Sequence, residues 1–127
     1  MAKILVIEDN PENMMLSVLL LTSAGHTVLS AVDAEAGLLL ARSDLPDLIL
    51  MDIQLPGMDG LEATGMLKRD PSTRAIPVIA LTALAMKGDE ERIRAAGCDG
   101  YIAKPMSIHH FLSTIAARLL APALHAS

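Results

Sequence analysis

Polar residues with carboxylate, hydroxyl and ammonium groups follow four short apolar runs in this sequence. Glu8 and Asp9 follow the run at residues 3–7, and Asp52 follows the run at 48–51. Thr82 and Lys104 follow two later runs. If these runs are parallel strands of one sheet, their carboxyl ends share an edge, and ligands bind at that edge. The sequence therefore predicts one site that contains three carboxylates, a hydroxyl and an ammonium.

This set of groups indicates phosphoryl transfer assisted by a divalent cation. Clustered carboxylates repel one another unless a cation neutralises them, and Mg²⁺ (or Mn²⁺) prefers oxygen ligands. We expect Asp9 and Asp52 to bind the ion directly and Glu8 to act through a metal-bound water. Lys104 and Thr82 suit phosphoryl oxygens as a cation and a hydrogen-bond donor. Because carboxylates form aspartyl-phosphates, Asp52 is the predicted nucleophile.

The elements that position these residues alternate between strand and helix. Five short apolar runs lie at residues 3–7, 27–30, 48–51, 77–81 and 101–103. Helix signals lie between them, at residues 9–25, 33–42, 59–69, 86–96 and 107–120. This alternation predicts an α/β flavodoxin-like, doubly wound (βα)5 domain with a parallel five-stranded sheet of order 2-1-3-4-5. The weaker second and fifth runs suit the sheet edges.

Composition excludes several classes of protein. The chain has 127 residues, 52% of them hydrophobic, and a net charge of −5, which disfavours a nucleic-acid surface. Aromatic residues make up only 2% of the sequence. The single cysteine, Cys98, is expected to be a small buried residue. No signal peptide or membrane span is evident, so we expect a cytoplasmic protein with a domain at residues 1–122 and a frayed tail at 123–127.

These residues together resemble the response-regulator receiver family. The resemblance rests on the pair Glu8-Asp9, on residues 50–60, which read LMDIQLPGMDG, and on Thr82-Ala83 and residues 101–105, which read YIAKP. It covers nearly the whole chain. Segments 9–13 and 83–86 are most similar to stand-alone receivers of the DivK cell-division type.

The resemblance implies a role for each site residue. Asp52 would be phosphorylated by a histidine kinase or a histidine phosphotransfer protein. Asp9, Asp52 and the backbone carbonyl of Gln54 would bind Mg²⁺. The phosphate-binding residues would be Lys104, Thr82 and Ala83. The protein would then be a phosphoacceptor with self-catalysed phosphorylation and slow autodephosphorylation, rather than an enzyme.

The resemblance also implies how the signal leaves the domain. Thr82 and Tyr101 would form a switch that changes the surface of the fourth helix, fifth strand and fifth helix, including Leu84, Ala85 and Met86. The partner would be a downstream kinase or scaffold protein, with no nucleic acid or membrane involved and with a monomeric receiver. The Lys104-Pro105 bond would be cis. His26, His109 and His110 are expected to face solvent.

Three alternatives compete with this interpretation. A phosphatase of the haloacid-dehalogenase type would place an Asp two residues after the nucleophile, where Gln54 stands. A flavin-binding module would need a phosphate loop after the first strand, where Glu8 and Asp9 would repel phosphate. A fragment of a hybrid kinase would keep the receiver chemistry, although Met1 and the short tail favour a complete protein.

Overall fold

The computed structural model describes residues 2–83, 87–104 and 107–125. Within them, strands and helices alternate along the chain. The strands are β1 (Lys3–Ile7), β2 (Thr27–Ala31), β3 (Leu48–Asp52), β4 (Val78–Thr82) and β5 (Gly100–Ala103). The helices are α1 (Pro11–Ser23), α2 (Ala34–Asp44), α3 (Gly60–Arg69), α4 (Lys87–Ala95) and α5 (Ile108–His125).

The strands form one parallel sheet in the order β2-β1-β3-β4-β5, which confirms the predicted topology. Strand β1 pairs with β2 on one side and with β3 on the other, so the order in which successive strands are added across the sheet changes direction between β1 and β3. Polar residues at the carboxyl ends of these two strands therefore meet in the crevice where such folds bind ligands.

Two apolar clusters cover the two faces of the sheet. Leu5 and Ile7 point into the cluster formed with α2 and α3, whereas Ile4 and Val6 point into the cluster formed with α1 and α5. Strands β3 and β4 are buried along their whole length, while β2 and β5 are partly exposed at the edges. Each fully buried aliphatic side chain contributes about 1.5–3 kcal/mol, so these central strands form a rigid base for the residues at their ends.

Side-chain caps fix where the helices begin. Asn10, Asp33 and Asp59 each accept a hydrogen bond from the backbone N–H three residues later. Ser107 does the same for α5, at 3.1 Å. The cap of α1 is thus Asn10 and not Asp9, because Asn10 Oδ1 accepts a hydrogen bond from the backbone N–H of Asn13 in the first turn. These caps leave the Asp9 carboxylate outside the helix and beside the end of β1.

Three smaller expectations have mixed outcomes. Helix α5 continues to His125, beyond the predicted end near residue 120. Cys98 is buried, as predicted, and its sulfur lies 3.8 Å from Thr64 Oγ1. His109 and His110 are exposed, but His26 is half-buried, and its Nδ1 accepts a hydrogen bond from the Ala2 N–H at 3.3 Å.

In the part of the chain that the structure describes, no helix has the length and hydropathy needed to cross a membrane.

Candidate phosphoacceptor and metal site

Three carboxylates meet at the carboxyl ends of β1 and β3. Glu8 directly follows β1 and Asp52 is the last residue of β3, and both are almost fully buried. Asp9 lies beside them and is exposed to solvent. One oxygen of each carboxylate lies within 4.8 Å of the others. This all-oxygen, partly solvated set fits a hard cation such as Mg²⁺, which keeps some of its waters.

Lys104 brings the opposite charge from the far edge of the sheet. Its Nζ donates a hydrogen bond to Glu8 Oε1 at 3.0 Å and to Asp52 Oδ2 at 3.4 Å. The backbone N–H of Lys104 donates to the Thr82 carbonyl oxygen at 2.7 Å, which extends the pairing of β4 and β5 up to the lysine. The Lys104 side chain is only 19% exposed, so the attraction of its ammonium for the two acids is weakly screened.

Burial of Glu8 raises the pKa of its carboxyl group. Desolvation raises the pKa of Glu8 from its ordinary 4.5 to about 7, and a hydrogen bond with Asp52 adds to the rise. Lys104 and the Asn10 N–H oppose that rise only partly. Glu8 therefore holds a proton for part of the time near neutral pH, and that proton offsets some of the negative charge that a divalent cation would neutralise.

The backbone after Asp52 orients its carboxylate. The Gln54 N–H donates to Asp52 Oδ1 at 2.9 Å, which leaves Oδ2 toward Lys104. The chain then turns through Gly57, whose φ of +73° suits glycine. The metal-binding role of the Gln54 carbonyl stays a prediction.

Gly60 is a site residue that sequence reasoning missed. It is the first residue of α3, and its N–H donates to the Ile53 carbonyl oxygen at 3.3 Å. A Cβ at this position would collide with the Asp52 carbonyl oxygen and lie 2.7 Å from Ile53 Cα. The helix can therefore begin directly against the end of β3 only because residue 60 has no side chain. The capping Asp59 before a glycine was the available signal.

The two predicted switch residues lie on one face of the sheet. Ala80 is paired with Tyr101, and Thr82 is paired with Ala103. Alternate residues of a strand share a face, so Thr82 and Tyr101 both point to the side of α3 and α4. Thr82 is buried, Tyr101 is half-buried and Ala83 is exposed beside the site. The predicted output surface includes Leu84, Ala85 and Met86, which lie outside the described residues. Pro105 of the predicted cis bond also lies outside them.

Comparison with known proteins decides between a receiver and the first two alternatives. Residues 4–116 match the response regulator receiver domain family. The chain belongs to the response-regulator receiver family. The phosphatase and flavin-binding alternatives are therefore excluded.

Relatives of known name and structure agree with this assignment. The chain is 51% identical to the polar-differentiation response regulator DivK of Brucella anthropi, over 91% of this chain and 94% of that protein. The chemotaxis protein CheY4 of Vibrio cholerae has the same fold, with a TM-score of 0.87 and 26% identity over 92% of this chain and 98% of that one.

A receiver domain of a sensor histidine kinase from Pseudomonas aeruginosa PAO1 is also similar. Its TM-score is 0.86 and its identity 37%, over 94% of this chain and 98% of that one, and it holds a magnesium ion in its active site cleft. These similarities confirm a DivK-type receiver with a CheY-like fold. As a receiver, the chain accepts phosphoryl groups in two-component signalling.

Proposed function

We propose that Asp52 is the phosphoacceptor and that the surrounding carboxylates hold the metal ion. The observation that carries this proposal is the position of Lys104 Nζ, 3.0 Å from Glu8 and 3.4 Å from Asp52, in a cluster that still has excess negative charge. Asp9, Asp52 and the Gln54 carbonyl would bind Mg²⁺ or Mn²⁺, with Glu8 acting through a water. Bound there, the ion supplies positive charge to the carboxylates and to the phosphoryl oxygens.

The reaction requires little beyond positioning. An oxygen of Asp52 forms a bond to phosphorus while the bond from phosphorus to the donor atom breaks, and that atom keeps the electron pair. The donor atom is the imidazole nitrogen of a phosphohistidine or the carboxyl oxygen of acetyl phosphate. Lys104 holds one phosphoryl oxygen and Thr82 donates to another, while the small side chain of Ala83 leaves room for the donor. Because all these groups belong to this chain, phosphorylation is self-catalysed, and slow hydrolysis of the acyl phosphate by water reverses it.

Output follows from the switch pair. Thr82 moves toward the phosphoryl group, and Tyr101 then turns further into the space between α4 and the sheet. The altered surface is formed by α4, β5 and α5 and includes the segment 84–86. Its partner is a downstream kinase or scaffold protein. The receiver acts as a monomer in the cytoplasm.

Intact-mass spectrometry after incubation with acetyl phosphate and Mg²⁺ tests the acceptor. The wild-type protein should gain one phosphoryl group, and Asp52→Asn should gain none. Asp59→Asn is the matched control, since asparagine caps a helix as well as aspartate and the residue lies in the same loop. Labelling of Asp52→Asn at the wild-type level would refute the assignment.

A further inference from the structure

A pocket between α4, β5 and α5 collects cationic side chains in an otherwise acidic protein. It has a volume of about 510 Å³, and its lining includes Arg94, Asp99, Tyr101, His110, Thr114 and Arg118. The chain as a whole has a net charge of −5, yet no Asp or Glu follows Asp99 in the sequence. Strand β5 and helix α5 therefore contribute only neutral and basic groups to this face.

The acid that lines this pocket is already neutralised. Asp99 Oδ2 accepts hydrogen bonds from Lys68 Nζ at 3.0 Å and from the Val78 N–H at 2.8 Å. Its backbone carbonyl accepts a hydrogen bond from Arg118 Nη2. Arg118 is thus held in place by a neutral oxygen, and no carboxylate among the described residues lies within ion-pair distance of it. Its charge faces the pocket without compensation.

Arg94 can exchange its present partner for another one. Its Nε and Nη2 both lie 3.4 Å from Glu90 Oε1, at the long end of hydrogen bonding, and its side chain is 60% exposed. An exposed pair of this kind contributes little to stability, so a partner's carboxylate in a more enclosed setting would hold Arg94 more strongly.

We propose that this pocket binds an acidic segment of a partner protein, with Arg94 and Arg118 pairing its carboxylates beside the ring of Tyr101. This inference deepens the proposed function, because it assigns a chemistry to the partner of the output surface. Tyrosine and arginine side by side form the kind of anchor that dominates protein interfaces. The two arginines are too few for a nucleic-acid backbone, which needs an extended row of cations.

Selection from a random peptide display library tests this proposal, with unphosphorylated wild-type protein and Asp52→Asn as separate baits. We expect enriched peptides to contain clustered Asp and Glu, and to shift the amide resonances of β5, α4 and α5. Because Asp52→Asn cannot be phosphorylated, its binding reports on the pocket alone, while mass spectrometry reports on Asp52 alone.

The matched variants are Arg94→Gln and Arg92→Gln. Both arginines lie on α4 and pair with an acid about one turn earlier, but only Arg94 lines the pocket. Arg94→Gln should weaken the binding of a selected peptide about tenfold, equivalent to about 1.4 kcal/mol, while Arg92→Gln leaves it near the wild-type value. Three results would each overturn the proposal: no acidic enrichment, equal weakening by both variants, or tighter binding of a short single-stranded RNA to the same residues.

Discussion

Lys104 and Lys68 each join elements that lie far apart in the sequence, but the charges around them differ. Lys68 Nζ donates to Asp99 Oδ2 at 3.0 Å and to the carbonyl oxygens of Ile76 and Arg74 at 2.8 and 3.3 Å. That ammonium has three acceptors, of which one is a carboxylate, so one positive charge faces one negative charge. Lys104 instead faces Glu8 and Asp52, with Asp9 close by.

The difference separates a structural lysine from a functional one. Lys68 and Asp99 pair with each other and with backbone groups, and these contacts stabilise the amino ends of β4 and β5. Around Lys104, one ammonium stands against three carboxylates, so the cluster gains from any further positive charge. Helix α3 links the two regions, because Gly60 begins it against Asp52 and Lys68 lies in its last turn.

Lys104→Gln should have the largest effect, and that effect should be on chemistry. Loss of the ammonium removes a charge aimed at the phosphoryl oxygens, and the initial rate of phosphorylation by acetyl phosphate should fall about 10²-fold. Lys68→Met should leave that rate close to the wild-type value. Comparable rate losses in the two variants would mean that the contrast between the two lysines is wrong.

Lys68→Met should have the larger effect on stability. The substitution keeps most of the apolar stem but leaves Asp99 and two carbonyl oxygens without their charged donor. The free energy of unfolding should drop by about 2–3 kcal/mol, as is typical for hydrogen bonds to charged groups. Urea denaturation followed by circular dichroism measures it. A loss below that of an ordinary surface substitution would show that Lys68 has no structural role.

Gly60→Ala should disturb the helix that joins the two regions. A methyl group at residue 60 meets backbone atoms of Asp52 and Ile53, so α3 must shift, at a cost of about 1–3 kcal/mol. Gly65→Ala in the same helix is the control, since its new methyl meets only the Arg69 side chain, at 3.4 Å, and should stabilise by about 0.5–1 kcal/mol. Thermal unfolding of both variants distinguishes the two positions. Equal effects of the same sign would contradict the close approach at Gly60.

The pH dependence of stability should report the excess charge around Lys104. Glu8 keeps its proton up to about pH 7 in the folded protein but loses it near 4.5 when unfolded. The stabilisation of the folded protein by the proton on Glu8 is therefore fully present below pH 4.5 and is lost as the pH rises through about 7. Glu8→Gln should flatten this part of the stability curve measured in EDTA. Magnesium should also flatten it, because a bound cation replaces the proton.

The fold could be predicted from sequence because local signals agreed with it. The central strands are continuous apolar runs, and Asp33, Asp59 and Ser107 lie where caps were expected. Right-handed crossovers left few strand orders, and the order 2-1-3-4-5 places the two weakest runs at the edges of the sheet. The end of α5 was placed too early, near Leu120, whereas the helix continues to His125.

The site was predicted as a set of residues but not as a set of contacts. Residue type and position at strand ends brought Glu8, Asp9, Asp52, Thr82 and Lys104 together. The raised pKa of Glu8 depends on its burial, and the Lys104–Glu8 contact spans 96 residues, so neither leaves a local signal. The pairing of Lys68 with Asp99 was missed for the same reason. Gly60 was missed because the close approach of α3 to β3 exists only in three dimensions.

Localising the phosphoryl group tests the central claim most directly. Wild-type protein is phosphorylated with acetyl phosphate and Mg²⁺, reduced with borohydride, digested and sequenced by tandem mass spectrometry. Because borohydride reduces an aspartyl-phosphate to homoserine, residue 52 should read as homoserine and Asp9 should remain aspartate. Homoserine at Asp9, or at any residue other than Asp52, would contradict the assignment of Asp52 as the phosphoacceptor.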